Sequence, residues 1–106
     1  MKHIAISLAV LMLMWGSDAK AKERFLTSGN DLFSDCTGKS EVRKIYCVGY
    51  IIGVIDASNS VCVTNVNRVQ LRDIVIKYLT ENPQERHFTA RSLIEVSLVP
   101  VFPCKK

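Results

Sequence analysis

The sequence predicts a small all-α domain of about four helices, stapled by disulfides. Three observations carry that expectation. Apolar residues recur with helical spacing, capping residues stand at the starts of those runs, and four cysteines serve a short chain. A chain of this size hides a smaller share of its surface than a larger domain, so its core alone gives thin stability.

The N-terminus is set apart from the fold. Lys2 and His3 precede Ile4–Trp15, a run in which Ser7 alone is not apolar. A basic start, a short apolar stretch and a small-residue site make up the layout of a secretory signal peptide. Ala19-Lys20-Ala21 supplies the A-x-A site, so cleavage is expected after Ala21, with Ser17-Asp18-Ala19 as a weaker competing site. A bilayer span takes about 20 apolar residues, and this run is too short to be a retained anchor. The expected organisation is a signal peptide at 1–21 and one domain at 22–106, which is 85 of the 106 residues.

The first helix is expected from about Arg24 to Asp35, with Phe25, Leu26, Leu32 and Phe33 on or near one face and Ser28-Gly29-Asn30 weakening it. Thr37-Gly38-Lys39 reads as a turn. Ser40 is placed to cap a second helix, and Glu41 is well set against its dipole. That helix, Glu41 to Ala57, is the most apolar segment. Ile45, Tyr46, Val48, Tyr50, Ile51, Ile52, Val54 and Ile55 cover nearly its whole circumference, which predicts a central, buried element. Gly49 and Gly53, four apart, would let another backbone pack closely against it. Ser58-Asn59-Ser60 ends the helix, and Val61–Val66 is a connector. Asn67 with Gln70 resembles a capping box and opens a third helix on Leu71, Ile74, Val75, Tyr78 and Leu79, which Asn82-Pro83 stops. After the polar link Gln84–His87, a fourth helix is expected from about Phe88 to Val99. It points Leu93, Ile94, Val96 and Leu98 inward, and Pro100 and Pro103 stop it.

Composition excludes more chemistry than it suggests. Removing Lys2, Lys20 and Asp18 from 14 basic and 10 acidic residues leaves 12 and 9, with no clustered basic stripe for nucleic acid. All four cysteines, Cys36, Cys47, Cys62 and Cys104, fall in the domain, and an even count in a short exported chain points to two disulfides. Their spacing contains no C-x₂₋₄-C pair of the kind zinc sites use, so neither metal nor cofactor is expected. There is no Gly-rich phosphate loop, H-E-x-x-H or G-x-S-x-G motif. His87 is the sole histidine left after cleavage, and with Glu85 alone beside it makes no nucleophile–base pair. Asp56 is expected to bond locally or to meet solvent. The expected protein is not an enzyme.

The cysteine-centred segments resemble a known family. Gly29-Asn30-Asp31-Leu32 leading to Cys36, then Cys47-Val48-Gly49-Tyr50-Ile51-Ile52-Gly53-Val54-Ile55-Asp56-Ala57, are similar to the heart of the Rap/Tai immunity proteins. The downstream order is similar too: Cys62, Val69-Gln70-Leu71, Val75–Leu79, Asn82-Pro83-Gln84-Glu85 with His87, then Phe102-Pro103-Cys104. The resemblance implies a periplasmic protein of a Gram-negative bacterium that binds a peptidoglycan amidase delivered by type VI secretion. It further implies a helical homodimer that occludes the toxin's cleft. Where the family usually has Pro soon after the third cysteine and His-Pro-Glu before the loop histidine, this chain has Val63 and Asn82-Pro83-Gln84. Those departures bear on which toxin is recognised, not on the fold. A small periplasmic stress chaperone, or another non-catalytic envelope binding protein, is the alternative. A chaperone would dissociate in acid and bind many clients.

Four cysteines allow three connectivities. Cys36–Cys47 with Cys62–Cys104 suits the helices, joining the first to the second and the chain end to the connector. Cys47 lies about 10 Å along a helix from Ser40, so either the first helix should end before Cys36 or the second should start later. The partner-binding residues are expected on the polar loop, at Glu81, Asn82, Gln84, Glu85, Arg86 and His87.

Overall fold

Ser28 decides where the first helix starts. Its hydroxyl accepts from the Asp31 N–H at 3.1 Å, and the Asp31 carboxylate accepts from the Ser28 N–H at 3.0 Å. This reciprocal capping box satisfies donors that a helix start leaves orphaned. The Ser28 donors also hold the Asp31 carboxyl below its usual range, so the box is intact above about pH 4 and weakens as Asp31 takes up a proton. The computed structural model describes residues 26–105, and in it α1 runs Gly29–Thr37. The expected start at Arg24 is thereby corrected: Ser28-Gly29-Asn30 opens the helix rather than weakening its middle. Leu26 stands ahead of α1 and is fully exposed, while Leu32 is buried. The expected signal peptide, Arg24, Phe25 and Lys106 lie outside the described residues.

The other helices follow their caps. α2 spans Glu41–Ala57, with the Ser40 hydroxyl accepting from the Arg43 N–H at 3.3 Å. α3 spans Arg68–Glu81, with Asn67 Oδ1 accepting from the Gln70 N–H at 2.8 Å. A 3₁₀ turn at Pro83–Glu85 leads to α4, Ala90–Leu98, which begins two residues after the expected Phe88. Every pair among the four helices is in contact. Leu32 and Cys36 of α1, Ile51 of α2, Leu71, Val75 and Leu79 of α3, and Leu93, Ile94 and Leu98 of α4 meet in one core. Val96, expected inside, is half-exposed. It stands two residues from Ile94, which at 3.6 residues per turn is the far side of the helix.

α2 departs most from expectation. It is not buried all round: only Cys47 and Ile51 are. Val42, Ile45 and Tyr46 are 77%, 72% and 51% exposed, and a Cβ added at Gly49 or Gly53 would meet nothing within 4 Å. Among the described residues no backbone packs against the two glycines, contrary to the expected close packing. A helix apolar on nearly every side offers no periodic signal for its inner face. That face is set instead by Cys47, which is tied to Cys36.

Both disulfides form as the helices suggested, Cys36–Cys47 with Cα atoms 5.1 Å apart and Cys62–Cys104 at 4.9 Å. Neither helix retreats to make the first bridge, since α1 keeps Cys36 and α2 starts at Glu41. The link answers the distance: the backbones of Gly38 and Ser40 are extended. At about 3.3 Å per residue, the three residues from Gly38 to Ser40 run roughly 10 Å back along α2. Beside the bridge, the Arg43 guanidinium meets the nearly buried Asp35 carboxylate at 2.8 Å. The second bridge fastens the C-terminal tail to the connector, where Val61 pairs with Pro103 and the Cys62 N–H donates to the Phe102 carbonyl at 2.9 Å. In the connector, Asn65 takes the left-handed backbone with φ 54°, a conformation asparagine tolerates.

The bridges differ in access, for Cys36 and Cys47 are buried and Cys62 is exposed. Limited thiol treatment under native conditions should therefore open Cys62–Cys104 first, because exchange requires access to sulfur. Alkylation and peptide mapping will locate the freed thiols. Removing that bridge should lower stability by about 4 kcal/mol, and removing Cys36–Cys47 by roughly 3 kcal/mol, on a loop-entropy basis. Urea unfolding of the paired Cys→Ser variants checks both.

Candidate functional site

The polar segment after α3 is a built loop. α3 ends at Glu81, and the Asn82 N–H and side-chain amide both donate to the Tyr78 carbonyl, at 3.0 and 2.9 Å. Pro83 cannot continue the helix and sits at the head of the 3₁₀ turn, where its fixed φ fits. Within the turn, the Glu85 N–H donates to the Asn82 carbonyl, and the Phe88 N–H to the Glu85 carbonyl, each at 3.0 Å.

Two side chains fasten this loop to the helices. The Tyr78 hydroxyl donates to Glu85 Oε1 at 2.6 Å. The Arg86 Nε–H donates to the Leu79 carbonyl at 2.7 Å, and its guanidinium lies over the Phe33 ring, 3.8 Å from the centroid. That cation–π contact joins the loop to α1. The backbone adds more: the Gly29 N–H donates to the Phe88 carbonyl at 2.8 Å and the Asn30 N–H to the Arg86 carbonyl at 2.7 Å. The start of α1 thus finds acceptors in the loop. Residue 29 must be glycine for this approach. A Cβ there would lie 2.7 Å from the Arg86 carbonyl oxygen and 2.9 Å from its Cα, and would collide with Leu93. Ser28 and Thr89 pair as an isolated bridge, and the Ala90 N–H donates to the Thr27 carbonyl at 3.0 Å.

The six residues expected to bind a partner divide into two groups. Asn82, Glu85 and Arg86 are occupied in holding the loop, as their bonds above record. Glu81, Gln84 and His87 are exposed, with Glu81 3.6 Å from Lys77 Nζ. Phe88 joins them, half-exposed and stacked at 4.2 Å between centroids on His87. Sequence reasoning placed Phe88 inside α4. The signal for its true position was Thr89, which takes the N-cap place of that helix and leaves Phe88 on the loop.

A cleft of about 480 Å³ between α1 and α2 is lined by Asp31, Asp35, Arg43 and Tyr46, among others. Asp35 is spent on Arg43 and Asp31 on Ser28. Among the described residues no group of His, Cys, Asp and Glu could hold a metal ion. No helix there is long and apolar enough to cross a membrane. What the loop can do chemically is bind: it offers an amide, an imidazole and an aromatic face on a fastened support.

Two predictions follow from the fastening. Gly29→Ala should destabilise the fold by about 1–3 kcal/mol, the usual range for overpacking, and should speed exchange of the amides at positions 29 and 30, which donate to Phe88 and Arg86. The second concerns alkaline pH. The Glu85 hydrogen bond, with burial behind it, raises the Tyr78 phenol above its ordinary value of 10.0. A raised folded value means that this contribution is full below about pH 10 and is lost as pH rises through the Tyr78 titration. Urea midpoints measured across that window should fall more steeply for the wild type than for Tyr78→Phe.

Comparison with known proteins bears on the whole segment. The family model of the Rap1a immunity proteins matches residues 28–104, a span that holds all four cysteines and the entire loop. A search of curated proteins returned no match.

Proposed function

Since the chain belongs to the Rap1a immunity protein family, we propose that it protects its own cell by binding a type VI secretion toxin and blocking it. The target in this reading is a peptidoglycan amidase, the class implied by the resemblance to Rap/Tai proteins. The place of action is the periplasm, reached through the expected signal peptide, and the working form is a homodimer. The observation that carries the reading is the family match, which covers both bridges and the loop together.

Physical features of the fold support it. Two disulfides suit an oxidising compartment. Inhibition by occlusion needs a rigid projection rather than catalytic groups. A loop already ordered by Tyr78, Arg86 and the start of α1 gives up little conformational freedom on binding. Phe88 and His87 offer the rigid aromatic surface that dominates many interface centres. Gln84 supplies amide hydrogen bonds suited to a cleft that normally holds peptide.

Co-expression tests the reading. With a neighbouring amidase sent to the periplasm, the wild-type chain should rescue growth. A Gln84→Ala, His87→Ala, Phe88→Ala triple variant should weaken toxin binding by about 2–4 kcal/mol while keeping its thermal midpoint. Absence of rescue by the wild type against every neighbouring toxin would sink the function. Full rescue and unchanged affinity in the triple variant would sink only the loop.

A further inference from the structure

The cleft between α1 and α2 keeps chemistry that the fold does not use up. It holds about 480 Å³, within the range of small-molecule sites, and no residue of the polar loop lines it. On the α2 side, the Arg43 Nη1–H donates to Asp35 Oδ1 at 2.8 Å. A guanidinium carries five N–H donors in a planar fork, and the other donors of Arg43 have no acceptor among the described residues. The Asp35 carboxylate that holds it is nearly buried, while the Arg43 side chain stays 67% exposed. The cation is thus fixed on its inner side and open on its outer side. It also stands in the first turn of α2, at the positive end of that helix.

On the α1 side, Asp31 precedes Asp35 by four residues, which puts both on one face, about 6 Å apart along the axis. Asp31 Oδ2 accepts from the N–H and the hydroxyl of Ser28, each at 3.0 Å, and Oδ1 has no partner among the described residues. The Ser28 bonds hold the Asp31 carboxyl below its usual range, so it is ionised at neutral pH. An open carboxylate and an open guanidinium therefore share one cleft, about a helical turn apart. Beside them stand apolar side chains with little cover: Val42 is 77% exposed, Tyr46 half-exposed and Leu26 fully exposed. The Thr27 and Tyr46 hydroxyls, 3.5 Å apart, add hydrogen-bonding groups.

We propose that this cleft binds a short peptide of about two residues with both termini free, its ammonium on Asp31 and its carboxylate on Arg43. Spacing sets the length, because two extended residues span about 7 Å and the two charges stand about one turn apart. Charge sets the chemistry. Asp31, Asp35 and Arg43 together leave one negative charge, so a ligand with a carboxylate alone is disfavoured and an ammonium is required. The ligand's carboxylate meets the outer donors of a fork that Asp35 already holds in place, an arrangement suited to paired N–H···O bonds. Its side chains lie against Val42 and Tyr46, which favours an apolar pair of residues. The site is separate from the loop at Gln84–Phe88, and the inference does not rest on toxin binding.

The probe is alanyl-phenylalanine, titrated into the oxidised protein and followed by amide chemical shifts. Saturable shifts should centre on Asp31–Asp35 and Val42–Tyr46 and leave Gln84–His87 unmoved. N-acetylation or C-terminal amidation of the dipeptide should each weaken binding about tenfold or more, the change expected when a charge-assisted hydrogen bond is lost. Two substitutions make the same test from the protein's side. Arg43→Lys keeps a cation for Asp35 but gives up the fork. Val42→Glu adds a carboxylate at an exposed position in the first turn of α2, where the helix end favours one. Each should weaken the dipeptide about tenfold or more, and Val42→Glu should do so at an unchanged urea midpoint. If Arg43→Lys loses stability, Val42→Glu and the capped dipeptides still decide. Absence of saturable shifts, or shifts centred elsewhere, overturns the proposal. So does equal binding of the capped dipeptides, and so does full binding by Val42→Glu.

Discussion

The first N–H groups of α1 have no acceptors within their own helix, and two of them go to the carbonyls of Phe88 and Arg86. Much of the fold hangs on that exchange. It sets the start of α1 against the entry to α4, elements more than fifty positions apart in the chain, and it fixes the loop between them from below. The glycine at 29 makes the approach possible, and the Ser28–Asp31 box secures the helix start on which it depends. With its carbonyl spoken for, Arg86 sends its side chain inward across Phe33 to the Leu79 carbonyl. One side chain thereby joins α1, α3 and the loop.

The elements themselves were legible, and for definite reasons. Ser40 and Asn67 each accept the N–H three residues on, so α2 and α3 begin where the sequence says they should. Pro83 and Pro100 mark the far ends of α3 and α4. The pairing of cysteines also followed from helix order. The misreadings came where local rules compete. Ser28-Gly29-Asn30 reads as poor helix interior or as a good helix start. Only the distant partners of Gly29 and Asn30 decide between them. For α2 the difficulty was abundance: with apolar residues on all sides, periodicity cannot tell core from surface. Cys47 told it, through a bond formed outside the helix.

The loop illustrates a different limit. Its polarity and its position after a proline stop were visible in the sequence, and six residues were singled out on that basis. Which of them face outward was not visible, because that depends on atoms elsewhere. The Tyr78 hydroxyl claims Glu85, the Leu79 carbonyl and Phe33 ring claim Arg86, and the Tyr78 carbonyl claims Asn82. Polar type alone marks a residue as able to bond, not as free to do so. Phe88 escaped for the converse reason, since an aromatic residue beside a helix is usually counted with its core.

The two disulfides divide the described chain into closed and open stretches. One ring encloses residues 36–47 and the other 62–104, which takes in α3, the loop and α4. A protease that cuts once inside either ring leaves both pieces covalently joined. Between the rings lies an open stretch, residues 48–61, most of it wound into α2 and so shielded from cleavage in extended form. What is left vulnerable there is the short run after Ala57, and its Ser58 and Ser60 hydroxyls are both bonded to the Glu95 carboxylate. The polar loop after α3 lies inside the larger ring, so one cut there leaves the chain joined for as long as Cys62–Cys104 holds.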